Sequence, residues 1–164
     1  MKFPPLTGQQ MTKAIGLPII TVKDLKRASI PDNFIFIFQN TAHQGHWTLV
    51  LDHPDLQTIE FFDPLAMPIS ILQRFFPYYI EQHAGLRKVL FRKIQEKGYI
   101  GLEESTTPLE RPTGTTCGYV CIYRWQNDDL DIEEFVKHCQ QDFEKPTKQI
   151  PALVKEQLEQ HGIL

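Results

Sequence analysis

The run Phe34-Ile35-Phe36-Ile37-Phe38 constrains the fold more than any other stretch of the chain. Five consecutive large apolar residues of high β-propensity leave no polar face, so a strand here needs cover on both sides of its sheet. Two further β-prone runs follow, residues 47–51 and 57–62, and the Asp52-His53-Pro54-Asp55-Leu56 segment between them has the residue types that make turns. The two runs are expected to pair as an antiparallel hairpin. Turning about Pro54 and Asp55, it sets Leu51 opposite Thr58, Leu49 opposite Glu60 and His46 opposite Asp63. Opposed side chains have Cβ atoms roughly 4.5–5.5 Å apart, so an imidazole and a carboxylate are expected to meet at the open end.

Around this hairpin the periodicity changes. Residues 1–31 mix turn residues with one short helical candidate near 21–28, and they are expected to wrap the edge of the domain. Residues 69–83 carry apolar positions at helical spacing, interrupted at Pro77, and a further β candidate covers 98–104. The threonine- and proline-rich stretch 106–116 reads as loop. Residues 117–125 are apolar nearly all round, the mark of a buried central helix that Thr115 or Thr116 can cap, and two more helices are expected near 132–143 and 150–161. The fold class is α+β: a small, mostly antiparallel or mixed sheet with helices packed on it, forming one domain over 1–164.

Composition removes several alternatives. With 164 residues, 41% of them hydrophobic, the chain can bury a core and is neither a disordered tail nor a fibrous repeat. The formal charge of −3 gives no nucleic-acid footprint; the weak basic cluster Arg87, Lys88, Arg92, Lys93 and Lys97 reads as one solvated helix face. Nucleic acid is not required, nor is it excluded. No apolar run reaches the length of a membrane span, and the first ten residues carry two prolines where a secretory signal needs its apolar stretch, so an intracellular protein is expected. Cys117, Cys121 and Cys139 fit neither a disulfide framework nor a zinc ligand pattern, and the six histidines add no metal spacing. His43 and His53 fall in turn-like segments, and His83, His138 and His161 fall on or beside helices, where surface roles are expected. Neither a metal nor an organic cofactor is expected.

Most unpaired cysteines are small buried hydrophobes, and Cys121 and Cys139 read that way. Cys117 differs. Thr115-Thr116-Cys117-Gly118 places it in the first turn of a buried helix, where unpaired N–H groups and the positive end of the helix dipole stabilise a thiolate. Gly118 is expected to leave room for a substrate approaching the sulfur. A nucleophilic Cys117, a general base His46 and an orienting Asp63 would form a catalytic set.

Gly45-His46-Trp47, then Phe61-Phe62-Asp63-Pro64-Leu65, then Thr116-Cys117-Gly118-Tyr119 with Cys121, in that order, resemble the adenain-like maturation proteases of adenoviruses and related viruses, and more distantly the SUMO-deconjugating cysteine proteases. The resemblance spans roughly residues 31–125. It implies a papain-superfamily fold and peptide-bond hydrolysis through a thioester, by a monomer that cuts viral capsid or other structural precursors after a small residue such as glycine, in the host cell or the virion. It also implies that Trp47 walls a narrow substrate channel, although a core tryptophan explains that residue type equally well.

The chain departs from the family pattern at three places. Where the family has an oxyanion-hole glutamine, counting back seven residues from Cys117 reaches Glu110. An ionised carboxylate there opposes the developing charge, whereas a protonated one can donate a single O–H. The alternative is a Glu110 that points to solvent or pairs with Arg111, leaving the hole to backbone N–H groups near Cys117 and Gly118. The acidic member is Asp63, as in the SUMO-specific relatives, rather than Glu. Tyr99 stands where the adenoviral enzyme uses a cysteine to hold its activating peptide, so disulfide-tethered activation is not expected. Three rival functions keep the same residues: removal of ubiquitin-like modifiers, acyl transfer, and a binding module without turnover.

Overall fold

The computed structural model describes residues 2–27, 29–39, 45–66, 80–111 and 114–164. Along them run α1 (Gly8–Ile15), β1 (Ile19–Ile20), a 3-10 turn (Asp24–Lys26), β2 (Phe34–Gln39), β3 (Gly45–His53), β4 (Thr58–Phe62), α2 (Ile80–Lys97), β5 (Gly101–Glu104), α3 (Cys117–Gln126), α4 (Ile132–Asp142) and α5 (Pro146–Gln160). The strands form one sheet in the order β1-β2-β3-β4-β5. Its centre, β2-β3-β4, is antiparallel, and β1 and β5 are added parallel at the edges, so the sheet is mixed.

The aromatic run behaves as its composition requires. Phe34, Phe36 and Phe38 point to one face, where Leu86, Val89, Leu90 and Ile94 of α2 cover them together with Val50, Ile59 and Phe61. Ile35 points to the other face, joining Trp47, Leu49, Leu51 and Phe62 beneath α1, α3, α4 and α5. Burying one such phenylalanine contributes about 1.5–3 kcal/mol, and the three of β2 are fully buried. α3 is buried from Cys117 to Arg124, in keeping with its lack of a polar stripe.

The hairpin register differs from the sequence expectation by two residues: Leu51 faces Glu60, Leu49 faces Phe62 and His53 faces Thr58. A two-residue hairpin turn at Pro54-Asp55, of type I′ or II′, would need positive φ at its first position, which the proline ring forbids. The chain instead uses four turn residues, with N–H of Leu56 donated to the His53 carbonyl (3.1 Å), N–H of Gln57 to that of Pro54 (3.2 Å), and Gln57 at φ 55°. A slip of two keeps every side chain on its face. The His46–Asp63 meeting therefore survives, although the two residues are not directly opposed.

Other expectations are corrected at the ends of the chain and around the helices. The helix expected near 21–28 is only the 3-10 turn, because the Asp24 carboxylate accepts from the Thr21 N–H and hydroxyl and closes the backbone early. The N-terminal segment instead holds α1, whose start is a reciprocal capping box between Thr7 and Gln10. The helix expected over 69–83 falls mostly outside the described residues; the described helix runs on to Lys97. It exposes Arg87, Lys88, Arg92 and Lys97, the solvated basic face. Neither Thr115 nor Thr116 caps α3 through its side chain, since Thr115 donates its hydroxyl to the Phe3 carbonyl and Thr116 donates to Glu110. No helix among the described residues is long and apolar enough to cross a membrane.

His53 is not a surface histidine. It ends β3 with Nε2 2.8 Å from Glu60 Oε1, and Glu60 in turn receives Nε and Nη2 of Arg124 at 2.9 and 2.7 Å. The Glu60 hydrogen bond raises the His53 pKa against the opposing pull of burial. A raised folded-state pKa adds stability that is complete below the unfolded value of about 6.5 and disappears as pH rises through the folded value. His53→Asn is therefore expected to cost more stability at acidic than at alkaline pH. Urea midpoints of both proteins on either side of neutrality check this, and a pH-independent gap would contradict it.

Candidate active site

The site forms where three segments end together. β3 supplies His46 near its start, the turn after β4 supplies Asp63, and the first turn of α3 supplies Cys117. The sheet and helix are joined there by sulfur contacts: the Trp47 N–H is donated to Cys117 Sγ (3.5 Å), and Cys121 Sγ donates to the Trp47 carbonyl (3.4 Å). Cys117 and Cys121, one helical turn apart, thus engage the N–H and the carbonyl of a single residue of β3.

His46 Nε2 lies 2.6 Å from Asp63 Oδ1. With Asp63 as acceptor, Nε2 carries a proton, so in the neutral ring the lone pair stands on Nδ1. Asp63 itself is locked. Its Oδ1 also accepts the Leu65 N–H (2.9 Å), and its carbonyl accepts the Ser105 hydroxyl (2.9 Å) and the Ala66 N–H (2.8 Å). Oδ2 is buried without a hydrogen-bond partner among the described residues, which concentrates the carboxylate's interaction on the imidazole side. Burial works against a charge on His46, but the Asp63 carboxylate, helped by Cys117, holds its pKa well above the ordinary value.

Glu110 neither points to solvent nor pairs with Arg111. It is 4% exposed, and its Oε2 accepts from the Thr116 N–H (3.0 Å) and hydroxyl (3.2 Å). Its Oε1 stands 3.8 Å from His46 Nδ1. Burial pushes its carboxyl up to about 7, with His46 acting in the opposite direction. A ring nitrogen of His46, a Glu110 oxygen and Cys117 Sγ all lie within 4.8 Å of one another. The loop carrying Glu110 is tied to the acidic member through the Leu109 N–H, donated to the Pro64 carbonyl (2.8 Å).

Two sequence-derived roles are corrected. A Cβ on Gly118 would meet Leu6 Cδ1 and Met11 Sδ at 3.1 Å, so this glycine lets the N-terminal segment pack closely on α3 and does not open a path to the sulfur. The Trp47 side chain is a core tryptophan, buried with Leu6, Met11 and Tyr119, its Nε1 donating to the Leu6 carbonyl (3.0 Å). Its backbone, rather than its ring, touches the site. Cys121 and Cys139 are fully buried and burial raises both thiols, Cys139 to about 12. His138 lies 2.9 Å from the Tyr123 hydroxyl and 3.0 Å from Asp142, and His161 bonds the Gln157 carbonyl, so neither joins the cluster of His46, Asp63 and Cys117. His43 lies outside the described residues.

The supporting roles of two residues have no sequence signal. Ser105 and Thr116 are ordinary loop residues until the fold places one under Asp63 and the other on Glu110. No protein-family model matches the chain, and comparison with curated proteins yields no significant relative.

Proposed function

We propose that this chain is a cysteine endopeptidase of the adenain-like type, with the related papain-superfamily fold, acting on capsid or other structural precursors of a virus and cutting after a small residue such as glycine. The observation that carries the reading is the convergence of His46, Asp63 and Cys117, far apart in the chain, within one buried cluster. The nearby Glu110 and Thr116 complete a polar cluster at the entrance of α3.

In the proposed reaction, His46 Nδ1 takes the Cys117 proton and the thiolate attacks the scissile carbonyl carbon. The tetrahedral intermediate collapses as the C–N bond breaks, and the imidazolium gives its proton to the leaving amine. Water, deprotonated by His46, then attacks the thioester and releases the carboxylic acid. The Cys117 N–H belongs to the first turn of α3, where helix geometry supplies no intrahelical acceptor, so it is available to the developing oxyanion. Glu110 in its acid form has one further O–H to give.

A peptide library is the direct test, with cleavage after glycine or another small residue as the expected result and no cleavage of any member as the contradicting one. A parallel reaction with a ubiquitin-like modifier bearing a C-terminal electrophile separates precursor processing from deconjugation, since preferential capture of the modifier would replace the substrate assignment.

Asp63→Asn is expected to lower kcat by roughly 10³–10⁴, because an amide in this position can present its NH2 to the ring and favour the wrong tautomer. Turnover assays with the cleaved peptide check it. Activity within a few-fold of the unmodified enzyme would remove Asp63 from the orienting role.

A further inference from the structure

Cys117 and the two groups beside it, His46 and Glu110, are also a ligand set. Imidazole nitrogen, carboxylate oxygen and thiolate sulfur are the donors that zinc-class cations accept, with bonds of about 2.0–2.3 Å. Ligands at tetrahedral angles around such an ion stand roughly 3.3–3.6 Å apart. His46 Nδ1 and Glu110 Oε1 are already 3.8 Å apart, and all three ligand atoms fall within 4.8 Å, so contraction by about an ångström would close the site.

Each ligand has its own outer partner. Asp63 takes Nε2 of His46 at 2.6 Å, leaving Nδ1 for a cation; this is the carboxylate–histidine support common behind metal ligands. Thr116 holds Glu110 Oε2 through its N–H and hydroxyl at 3.0 and 3.2 Å, leaving Oε1 directed at the cluster. The Trp47 N–H, 3.5 Å from Cys117 Sγ, supports the thiolate. A cysteine–histidine dyad alone offers two ligands. Glu110 makes a third, and a dication also compensates the buried carboxylates.

We propose that His46, Glu110 and Cys117 form a three-ligand site for a zinc-class divalent cation, which locks the nucleophile and base in a resting form. The lock itself rests on the hydrolytic reading above, whereas the site does not. Coordination occupies the Nδ1 lone pair and the sulfur, the two atoms needed for attack on a carbonyl, so metal binding and turnover exclude each other. Formation of the Cys117–metal bond releases the thiol proton to solvent. Sequence spacing does not reveal the site, because its ligands come from β3, from the loop before α3 and from α3 itself.

Titration of the reduced full-length chain with Co2+ alone, followed by Zn2+ competition against a chromophoric chelator, tests the site without reference to activity. One ion per chain is expected, with a thiolate-to-cobalt charge-transfer band that Cys117→Ser removes. Glu110→Gln is expected to weaken Zn2+ binding by at least about 10–100-fold, and His46→Ala reads the same loss should the first variant misfold. Undiminished affinity in Glu110→Gln, persistence of the band in Cys117→Ser, or no stoichiometric binding would overturn the proposal. Peptide turnover measured with and without Zn2+ separates the two readings: a chain that binds the ion as described but never cleaves loses the hydrolytic function and keeps the site, whereas one that cleaves equally well with saturating Zn2+ loses the lock.

Discussion

Cys117→Ala is expected to lower kcat for the cleaved peptide by about 10⁶ while leaving the fold intact, since the nucleophile has no substitute within the catalytic set. The two halves of that expectation have separate physical sources. Cys117 is 8% exposed at the entrance of α3, and its sulfur accepts the Trp47 N–H and interacts with the His46 ring. Losing these weak sulfur hydrogen bonds and one side-chain atom costs about 1–2 kcal/mol, a modest share of a domain's stability. Cys121, one turn on, cannot take over, because burial raises its thiol well above the ordinary range and its sulfur is engaged with the Trp47 carbonyl. Parallel turnover and thermal-melting measurements check both halves. Equal cleavage by the variant would remove Cys117 from the chemistry, and wholesale unfolding would make the residue structural.

The largest expected loss of stability lies elsewhere, at the buried pair between β4 and α3. Arg124 is 0% exposed and clamps both oxygens of Glu60 while also donating to the Asn127 carbonyl (2.8 Å) and to the Leu130 carbonyl (2.8 Å). Its guanidinium also lies 4.9 Å from the centre of the Phe135 ring. Truncating Arg124 takes the bidentate guanidinium away from a fully buried carboxylate and leaves it only His53 at the end of β3, a break of the kind that costs about 3–5 kcal/mol. Arg124→Met is therefore expected to destabilise the protein by that amount, whereas the double change to Glu60→Leu with Arg124→Met restores much of the loss, since a well-packed apolar pair tolerates burial. Urea unfolding of the single and double variants measures the coupling. Additive losses would show that the two charges do not act as a pair.

The clustering of His46, Asp63 and Cys117 was legible in the chain because it follows from features that survive small errors. His46 and Asp63 lie near the open end of a hairpin, and a slip of two residues preserves the face on which they meet. Cys117 was marked by its place between a loop and an apolar helix. The sheet's two-sided burial was visible in the alternation-free run of β2.

Other features were decided by contacts between distant segments. Gly118 reads as open space in sequence, but its neighbours are Leu6 and Met11 from the far N-terminus. Trp47 fits a channel wall or a core equally well until the Leu6 carbonyl takes its indole N–H. Glu110 reads in sequence either as a protonated donor at the site or as a carboxylate facing solvent, and its burial beside His46 decides for the site. The ion pair between Glu60 and Arg124 went unread because its partners lie on β4 and α3, whose docking no local pattern encodes.

On the proposed mechanism His46 and Asp63 make Cys117 a reactive nucleophile, which selective alkylation measures without any substrate. With iodoacetamide at about pH 6.5, below the range where an ordinary thiol reacts well, peptide mapping of the native protein is expected to find Cys117 labelled far faster than Cys121 or Cys139, and His46→Ala is expected to abolish that advantage. Slow, uniform labelling of all three cysteines, unchanged by His46→Ala, would contradict the account.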